Sequence, residues 1–419
     1  MSVSKDQYFT RNATGIAMVE FCWGLGFPVV MESTFLQIFL KNLGASDTLI
    51  GLVPGILMAG ISVCPLASAY LTRNMVRTRG VVLSLHLITA MVLVLFGAGL
   101  FFLTDPAWIL PAFFAAYVLF SMAIGFSFPV WLNFLVKIFS PEKNVKGLAY
   151  MYLAQNVAKI LASLTILKVV ADHQLSHTSS AAIFLGAGLV CLMGSFGFLI
   201  TREIPEPDAR QEKGFLRHLK QSAGDLLRNR NLVRYLLGDL DTYVVITVIG
   251  FYANYAVTFF QVSPAVAAGL FVSLIYTGSV TANLVMGTWG LGTIRQKYLA
   301  TKALCALLLI LLIVAPGLPT FLVASQLMGF CRATRNMIYS PTIKQLSGRN
   351  NATAYFALAP LLTMFFSSGY PLFFGRVLDQ MGHRGAGAYQ IMFGVSLVLV
   401  VIIAAIAWKT QFRENGADY

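Results

Sequence analysis

The chain has 419 residues, 57% of them hydrophobic and only 11% charged. Soluble domains carry roughly 25% charged residues, so this apolar content exceeds what one water-soluble core can bury, and lipid must be the solvent for much of the surface. The formal net charge of +13 would suggest nucleic acid in a soluble protein. Here the basic residues sit in short loops between apolar runs, where the positive-inside rule accounts for them and no nucleic-acid partner is implied.

The start, MSVSKDQYFTRNATG, is polar, with no short apolar region and no small-residue cleavage site, so no cleaved signal peptide is expected. Twelve apolar segments then follow, each near the roughly 20 residues a spanning helix needs. They cover about 14–39, 48–71, 80–103, 108–137, 147–170 and 180–200, then 235–260, 265–289, 298–315, 317–342, 352–375 and 387–408, numbered helix 1 to helix 12. Runs this long read as helices, because a membrane barrel would show strands of about ten residues alternating in polarity. The expected fold is therefore an all-α membrane protein.

Between the two sets of six lies the chain's only long polar stretch, 201–235, with eight Lys/Arg. Within it Phe215, Leu216, Leu219, Ala223, Leu226 and Leu227 recur at helical spacing with Arg217, Lys220 and Arg228 between them. That pattern predicts an amphipathic helix on the membrane surface. The division expected is a six-helix bundle over 1–200, a connector over 201–234 and a second bundle over 235–419. Loops on the side of the termini and connector hold 23 Lys/Arg, against 4 on the opposite side (Lys41, Lys168, Arg376, Arg384). This bias predicts cytoplasmic termini. Asn12-Ala-Thr and Asn351-Ala-Thr then fall on the cytoplasmic side and read as chance glycosylation matches. All five cysteines lie in apolar runs without ligand spacing, so neither disulfides nor a metal or other cofactor is expected. No nucleotide loop or nucleophile elbow is present, and an enzyme is not expected.

The halves repeat. Adding 218 maps Gly51 onto Gly269, Gly60 onto Gly278, Arg77 onto Arg295 and Arg79 onto Lys297. Later, Ala149, Tyr150, Leu153 and Ala154 match Ala354, Tyr355, Leu358 and Ala359, and Asp172 and Asp379 close comparable helices. Order preserved over six helices implies parallel repeats about an axis along the membrane normal.

Twelve helices, a six-plus-six repeat and a long basic central loop resemble the major facilitator superfamily over essentially the whole chain. The family's loop between helices 2 and 3 is roughly G-x-x-x-D-R-x-G-R-R. Here Ser68 and Met75 stand for its glycines and Thr72 for its acid, while Arg73, Arg77 and Arg79 keep its basic character. The resemblance implies two bundles related by pseudo-two-fold symmetry, with helices 1, 4, 7 and 10 lining a cavity and helices 2, 5, 8 and 11 beside them. Helix 5 has no proline and no glycine after Gly147, unlike the Gly-Pro-rich fifth helix of the superfamily's drug/proton antiporters.

Ionisable residues inside membrane helices normally face a cavity or a partner. The candidates are Glu20 and Glu32 in helix 1, Lys159 in helix 5, Asp239 and Asp241 in helix 7, and Arg332 and Arg335 in helix 10. Arg332, Arg335, Asn336 and Tyr339 share one helical face, and two guanidinium groups one turn apart suit a carboxylate or phosphate. The alternative is pairing across the halves that only holds a gate. Helix 5 presents Tyr152, Asn156, Lys159 and Ser163 together, and helix 7 presents Asp241, Tyr252 and Tyr255, whose rings either meet substrate or simply pack. Asn133 in helix 4 is a further lining candidate. Glu20, followed by Trp23, Phe27 and Met31 on its face, is the first proton-carrier candidate and Asp241 the second; for Glu20 the alternative is a fixed ion pair with Lys159 or Arg335. His86 reads as a packing residue.

Together these readings predict a monomeric secondary transporter of the bacterial inner membrane. It would move a small organic anion or anionic amphiphile by alternating access, coupled to protons. Substrate-site candidates are Asn133, Asn156, Lys159, Tyr252, Tyr255, Arg332, Arg335, Asn336 and Tyr339; proton-site candidates are Glu20 and Asp241. The rival readings are proton-driven efflux of cationic or neutral drugs, and a non-transporting membrane scaffold or receptor.

Overall fold

The computed structural model describes residues 5–31, 33–72, 75–173, 176–204, 215–348 and 353–412. Glu32, Arg73, Asn351 and 205–214 lie outside the described residues. What is described is helical from end to end, with no strand among the described residues. Eleven helices or helix runs are long and apolar enough to cross a membrane. The remaining one, helix 10 (Leu318–Ser347), has 30 residues, about 45 Å at 1.5 Å per residue. Its length exceeds a hydrocarbon core of roughly 30 Å; only its composition sets it apart, because it carries Arg332, Arg335 and Lys344.

Several helices are less regular than apolar periodicity predicts. Helix 1 is two segments, Phe9–Val30 and Ser33–Asn42. Helix 7 is three: Arg230–Gly238, Asp241–Ile249 and Tyr252–Phe260. Helix 8 runs from Val266 to Thr288 with wider π turns at both ends, Val266–Leu270 and Asn283–Thr288. Such interruptions leave backbone groups outside the regular ladder, which a membrane tolerates only where protein or a cavity satisfies them.

The other helices are continuous or nearly so. Helix 2 spans Asp47–Thr72, helix 3 Arg79–Leu100, helix 4 Pro106–Ile138 and helix 5 Pro141–His173, and helix 6 spans His177–Ser195 with a tight turn to Leu199. In the second half helix 9 spans Ile294–Val314, helix 11 Thr353–Gln380 and helix 12 Ala386–Trp408. Large apolar side chains left exposed on helices 3, 6, 9 and 12, such as Leu95, Met193, Ile310 and Val398, suit contact with lipid tails.

The glycine matches between the halves acquire a steric meaning. A Cβ on Gly51 would lie 2.3 Å from the Pro371 carbonyl oxygen of helix 11, and one on Gly269 would lie 2.4 Å from Cβ of Leu167 of helix 5. Both sit at the start of their helices, and both let a helix of one bundle touch a helix of the other. The second pair acts within each bundle. Gly60 would meet the Ser121 carbonyl oxygen of helix 4 at 2.6 Å, and Gly278 that of Gln326 of helix 10 at 2.1 Å. Equivalent glycines therefore make equivalent contacts about the pseudo-two-fold axis.

These contacts close the end of the molecule remote from the termini. There Asp379 of helix 11 accepts the backbone N–H groups of Asp47 and Thr48 at 2.7 and 2.8 Å and the Thr48 hydroxyl at 2.5 Å. Gln37 of helix 1 donates to the Ile249 carbonyl of helix 7. At the other end the connector is tied to the first bundle. Glu203 accepts from the backbone of Thr78 and Arg79 at the start of helix 3, and Arg79 donates to the Thr201 carbonyl at 2.9 Å. Asn12 is buried, donates to the Ile138 carbonyl and accepts from the Arg202 backbone. Its amide is thus part of the fold, which agrees with its glycosylation pattern being a chance match.

The helix expected in the connector is present at Phe215–Arg228. It packs against protein. Leu226 is 1% exposed and packs with Leu232, Tyr235 and Leu236 of helix 7 and Ile343 of helix 10. Leu227 beside it is exposed, as are Lys220 and Arg228.

Candidate functional site

Glu20 lies three turns into helix 1 and is buried. One turn further, Gly24 brings helix 1 against helix 5: a Cβ there would stand 2.6 Å from the Gln155 carbonyl oxygen and 2.9 Å from Cβ of Ala158. This approach places the helix 5 side chains within reach of the acid. Gln155 Nε2 donates to Glu20 Oε2 at 2.5 Å, and Lys159 Nζ donates to Gln155 Oε1 at 2.7 Å. The ammonium group also lies 5.1 Å from the ring of Phe27 in helix 1 and 5.1 Å from that of Tyr276 in helix 8. Lys159 is thus placed at the junction of the two bundles.

The second bundle holds two ion pairs where helix 7 breaks. Asp239 sits in the break after Gly238 and receives Arg335 of helix 10, Nε at 2.9 Å and a terminal nitrogen at 2.8 Å. The guanidinium carbon lies 3.7 Å from the Tyr339 ring centroid, so one turn of helix 10 supplies both the cation and the aromatic face beneath it. Asp241, the first residue of the next segment, pairs with Lys302 of helix 9 at 2.7 Å, both nearly inaccessible. Lys302 also stands 3.9 Å from the Tyr298 ring centroid.

Lys302 has two places in the sequence reading, within the loop charges and near the start of helix 9; it is the ninth residue of helix 9 and is buried. Its spacing inside the helix was the signal available. Asp239 was visible as an intramembrane charge without a role, and Gln155 went unremarked because it lies off the Tyr152, Asn156, Lys159 and Ser163 face on which the reading of helix 5 rested. The Asp239–Arg335 pair joins helices of the same bundle, so it does not bridge the halves.

The other candidates fall in different surroundings. Tyr252 and Tyr255 are fully buried within the second bundle. Tyr252 stacks on Phe271 and shares a hydrogen bond with Ser325 at 3.0 Å. Tyr255 lies among Phe260, Phe321, Tyr389 and Phe393. On helix 10, Arg332 and Tyr339 are half-buried and Asn336 is exposed. Asn156 and Asn133 are half-buried on helices 5 and 4. His86 is a packing residue: it bonds the Val82 carbonyl at 2.8 Å and lies edge-on to Trp23 and Phe198.

A cavity of about 470 Å³ opens between the bundles at the end bearing the termini. Its lining is Leu148, Ala149 and Tyr152 of helix 5, Asn283, Gly287 and Thr288 of helix 8, and Met337 of helix 10. The π segment of helix 8 therefore forms one wall, as wide turns often do at functional sites. Lys159 lies seven residues beyond Tyr152, about 10 Å deeper. The volume is within the roughly 300–1,000 Å³ of small-molecule sites. No cluster of potential metal ligands occurs among the described residues.

The sequence profile of the Major Facilitator Superfamily matches residues 16–333. The chain belongs to the major facilitator superfamily. Similar solved structures share its fold at low identity. The nucleoside transporter NupG superposes with a TM-score of 0.72 at 15% identity, covering 96% of this chain and 99% of that one. The peptide transporter POT gives 0.71 at 13% identity, covering 98% and 99%. A bacterial homologue of the human lysosomal transporter Spinster, inward-facing and unoccupied, gives 0.65 at 13%, covering 98% and 97%. No curated protein shows significant similarity. For a superfamily member, closure at one end and a cavity at the other define one of the two end states of alternating access.

Proposed function

We propose that this superfamily transporter moves a small organic anion or anionic amphiphile, coupled to protons, and that the state described is open to the cytoplasm of a bacterial cell. The observation that carries the reading is the position of Lys159. Its ammonium group lies against an aromatic ring from each bundle, with a buried carboxylate one amide away. A ligand there touches both bundles, so its binding energy differs between their two arrangements, which is what an alternating-access cycle requires.

The site itself supports an anion: the Lys159 ammonium group stands between an aromatic ring of each bundle, and an anionic ligand placed there would meet it directly. The cavity lining, in which Leu148, Ala149, Tyr152 and Met337 accompany the polar Asn283 and Thr288, supports an organic ligand with a hydrophobic part. Glu20 supplies a proton site, because a buried carboxylate linked to a basic group can exchange its Coulomb partner for a proton. The basic loop residues support cytoplasmic termini.

The test is a thermal-shift screen of the purified chain against matched libraries of carboxylates, organic phosphates and cations. Stabilisation by anions, lost in Lys159→Met, is expected, since a ligand held at a hundred times its Kd stabilises by about 2.7 kcal/mol. Stabilisation by cations alone would favour drug efflux. No stabilisation by any class would favour a scaffold or receptor.

A further inference from the structure

The amide of Gln155 stands between the only carboxylate described on helix 1 and the ammonium group at the junction of the bundles. We infer that Gln155 is a positioning residue that links proton occupancy of Glu20 to anion occupancy at Lys159. The inference rests on the proton-coupled anion reading above and adds the part that makes the two events interdependent.

The chemistry of the three groups fixes the arrangement. An ionised carboxylate only accepts hydrogen bonds, an ammonium group only donates them, and a primary amide does each at a different end. With Glu20 ionised, the amide must turn its NH₂ end to Glu20 and its carbonyl to Lys159, as observed at 2.5 and 2.7 Å. The positive charge of Lys159 is then matched through the amide by the negative charge of Glu20.

A proton on Glu20 removes that negative charge and converts the acid into a donor. The carbonyl of Gln155 can then accept from either side, and the ammonium group has lost its matching anion. A ligand carboxylate or sulfonate replaces it. Proton and anion thus favour each other, and the coupling is reciprocal by thermodynamic necessity.

The packing makes the amide hard to bypass. Gly24 holds the backbone of Gln155 against helix 1, and Ser163 on the next turn bonds back to the Lys159 carbonyl at 2.7 Å. The remaining titratable groups that face Glu20 are Tyr152 and Lys159 on helix 5 and Cys191 on helix 6, with the Trp131 indole on helix 4. Of these only Lys159 carries a positive charge.

The experiment measures binding of octanesulfonate to the purified full-length chain at about pH 5.5 and about pH 7.5. The probe stays anionic throughout, so any pH dependence belongs to the protein. Wild type is expected to bind at least about fivefold more tightly at the lower pH, the lower end of typical coupling factors. Gln155→Leu is expected to retain binding with less than about a twofold difference, and Glu20→Gln to behave likewise. Gln155→Met, unbranched and without an amide, replaces the leucine variant if that one fails to fold. A uniformly weaker Gln155→Leu with the wild-type pH dependence would show that Gln155 only packs, and would overturn the inference while leaving proton coupling intact. Wild-type binding without pH dependence would overturn both the inference and the proton reading. Absence of binding at either pH would overturn the anion reading beneath them.

Discussion

Asp379, in the last turn of helix 11, accepts the backbone N–H of Asp47, the first residue of helix 2, at 2.7 Å. Thr48 adds its own N–H and hydroxyl. The acid therefore caps a helix of the opposite bundle. It meets the unsatisfied donors and the positive end of that helix together. The related acid Asp172, at the end of helix 5, makes no such hydrogen bond among the described residues, so the closed end is held by helices 2 and 11 in a way that helices 5 and 8 do not repeat.

That asymmetry gives the first prediction. Losing a helix cap costs about 0.5–2 kcal/mol, and Asp379 is solvent-exposed, so about 1 kcal/mol is the expected change. Asp379→Ala should shift the balance between end states about fivefold toward opening at this end. Spin labels at Gly44 and Gly382 would report it as a longer-distance population. An unchanged distance distribution would mean that the glycine contacts alone hold this end shut.

The second prediction concerns Lys302 and Asp241. A buried pair that loses one partner leaves a charge without compensation, at a cost of about 3–5 kcal/mol. Lys302→Met should lower the melting temperature sharply, and adding Asp241→Asn should restore most of it. If the double variant still accumulates substrate under a proton gradient, Asp241 is structural. If accumulation fails while exchange persists, the proton passes through Asp241.

Glu20 supplies the third. Glu20→Gln should abolish accumulation driven by a pH gradient and spare exchange between equal pools, which moves no net proton. Both are measured with labelled ligand in liposomes. Accumulation that keeps its pH dependence would remove Glu20 from the proton path.

The fourth concerns orientation. A cysteine at Lys220 in the connector helix should react with an impermeant reagent only from the cytoplasmic face, and one at Gly382 only from outside. Reaction of both from one face would contradict the five crossings, helices 7 to 11, between them.

The sequence alone carried the fold class, because length and hydropathy are properties of each helix taken separately. Twelve apolar runs, a basic central stretch and glycines repeating at a fixed offset needed no tertiary information. The same was true of the residues at stake, since any charge in an apolar run is conspicuous. Partnership was not legible. Asp239 and Asp241 are two residues apart and look alike, yet one meets Arg335 of helix 10 and the other Lys302 of helix 9. Helix 7 breaks between them, and a break that depends on packing leaves no periodic signature. Lys302 was visible near the start of helix 9, but nothing in the sequence showed that it is buried against Asp241. Gln155 and Asp379 became meaningful only when Gly24 brought helix 5 against helix 1 and Gly51 brought helix 2 against helix 11. Hydrogen bonds act over about 3 Å, and only the packed structure decides which groups come that close.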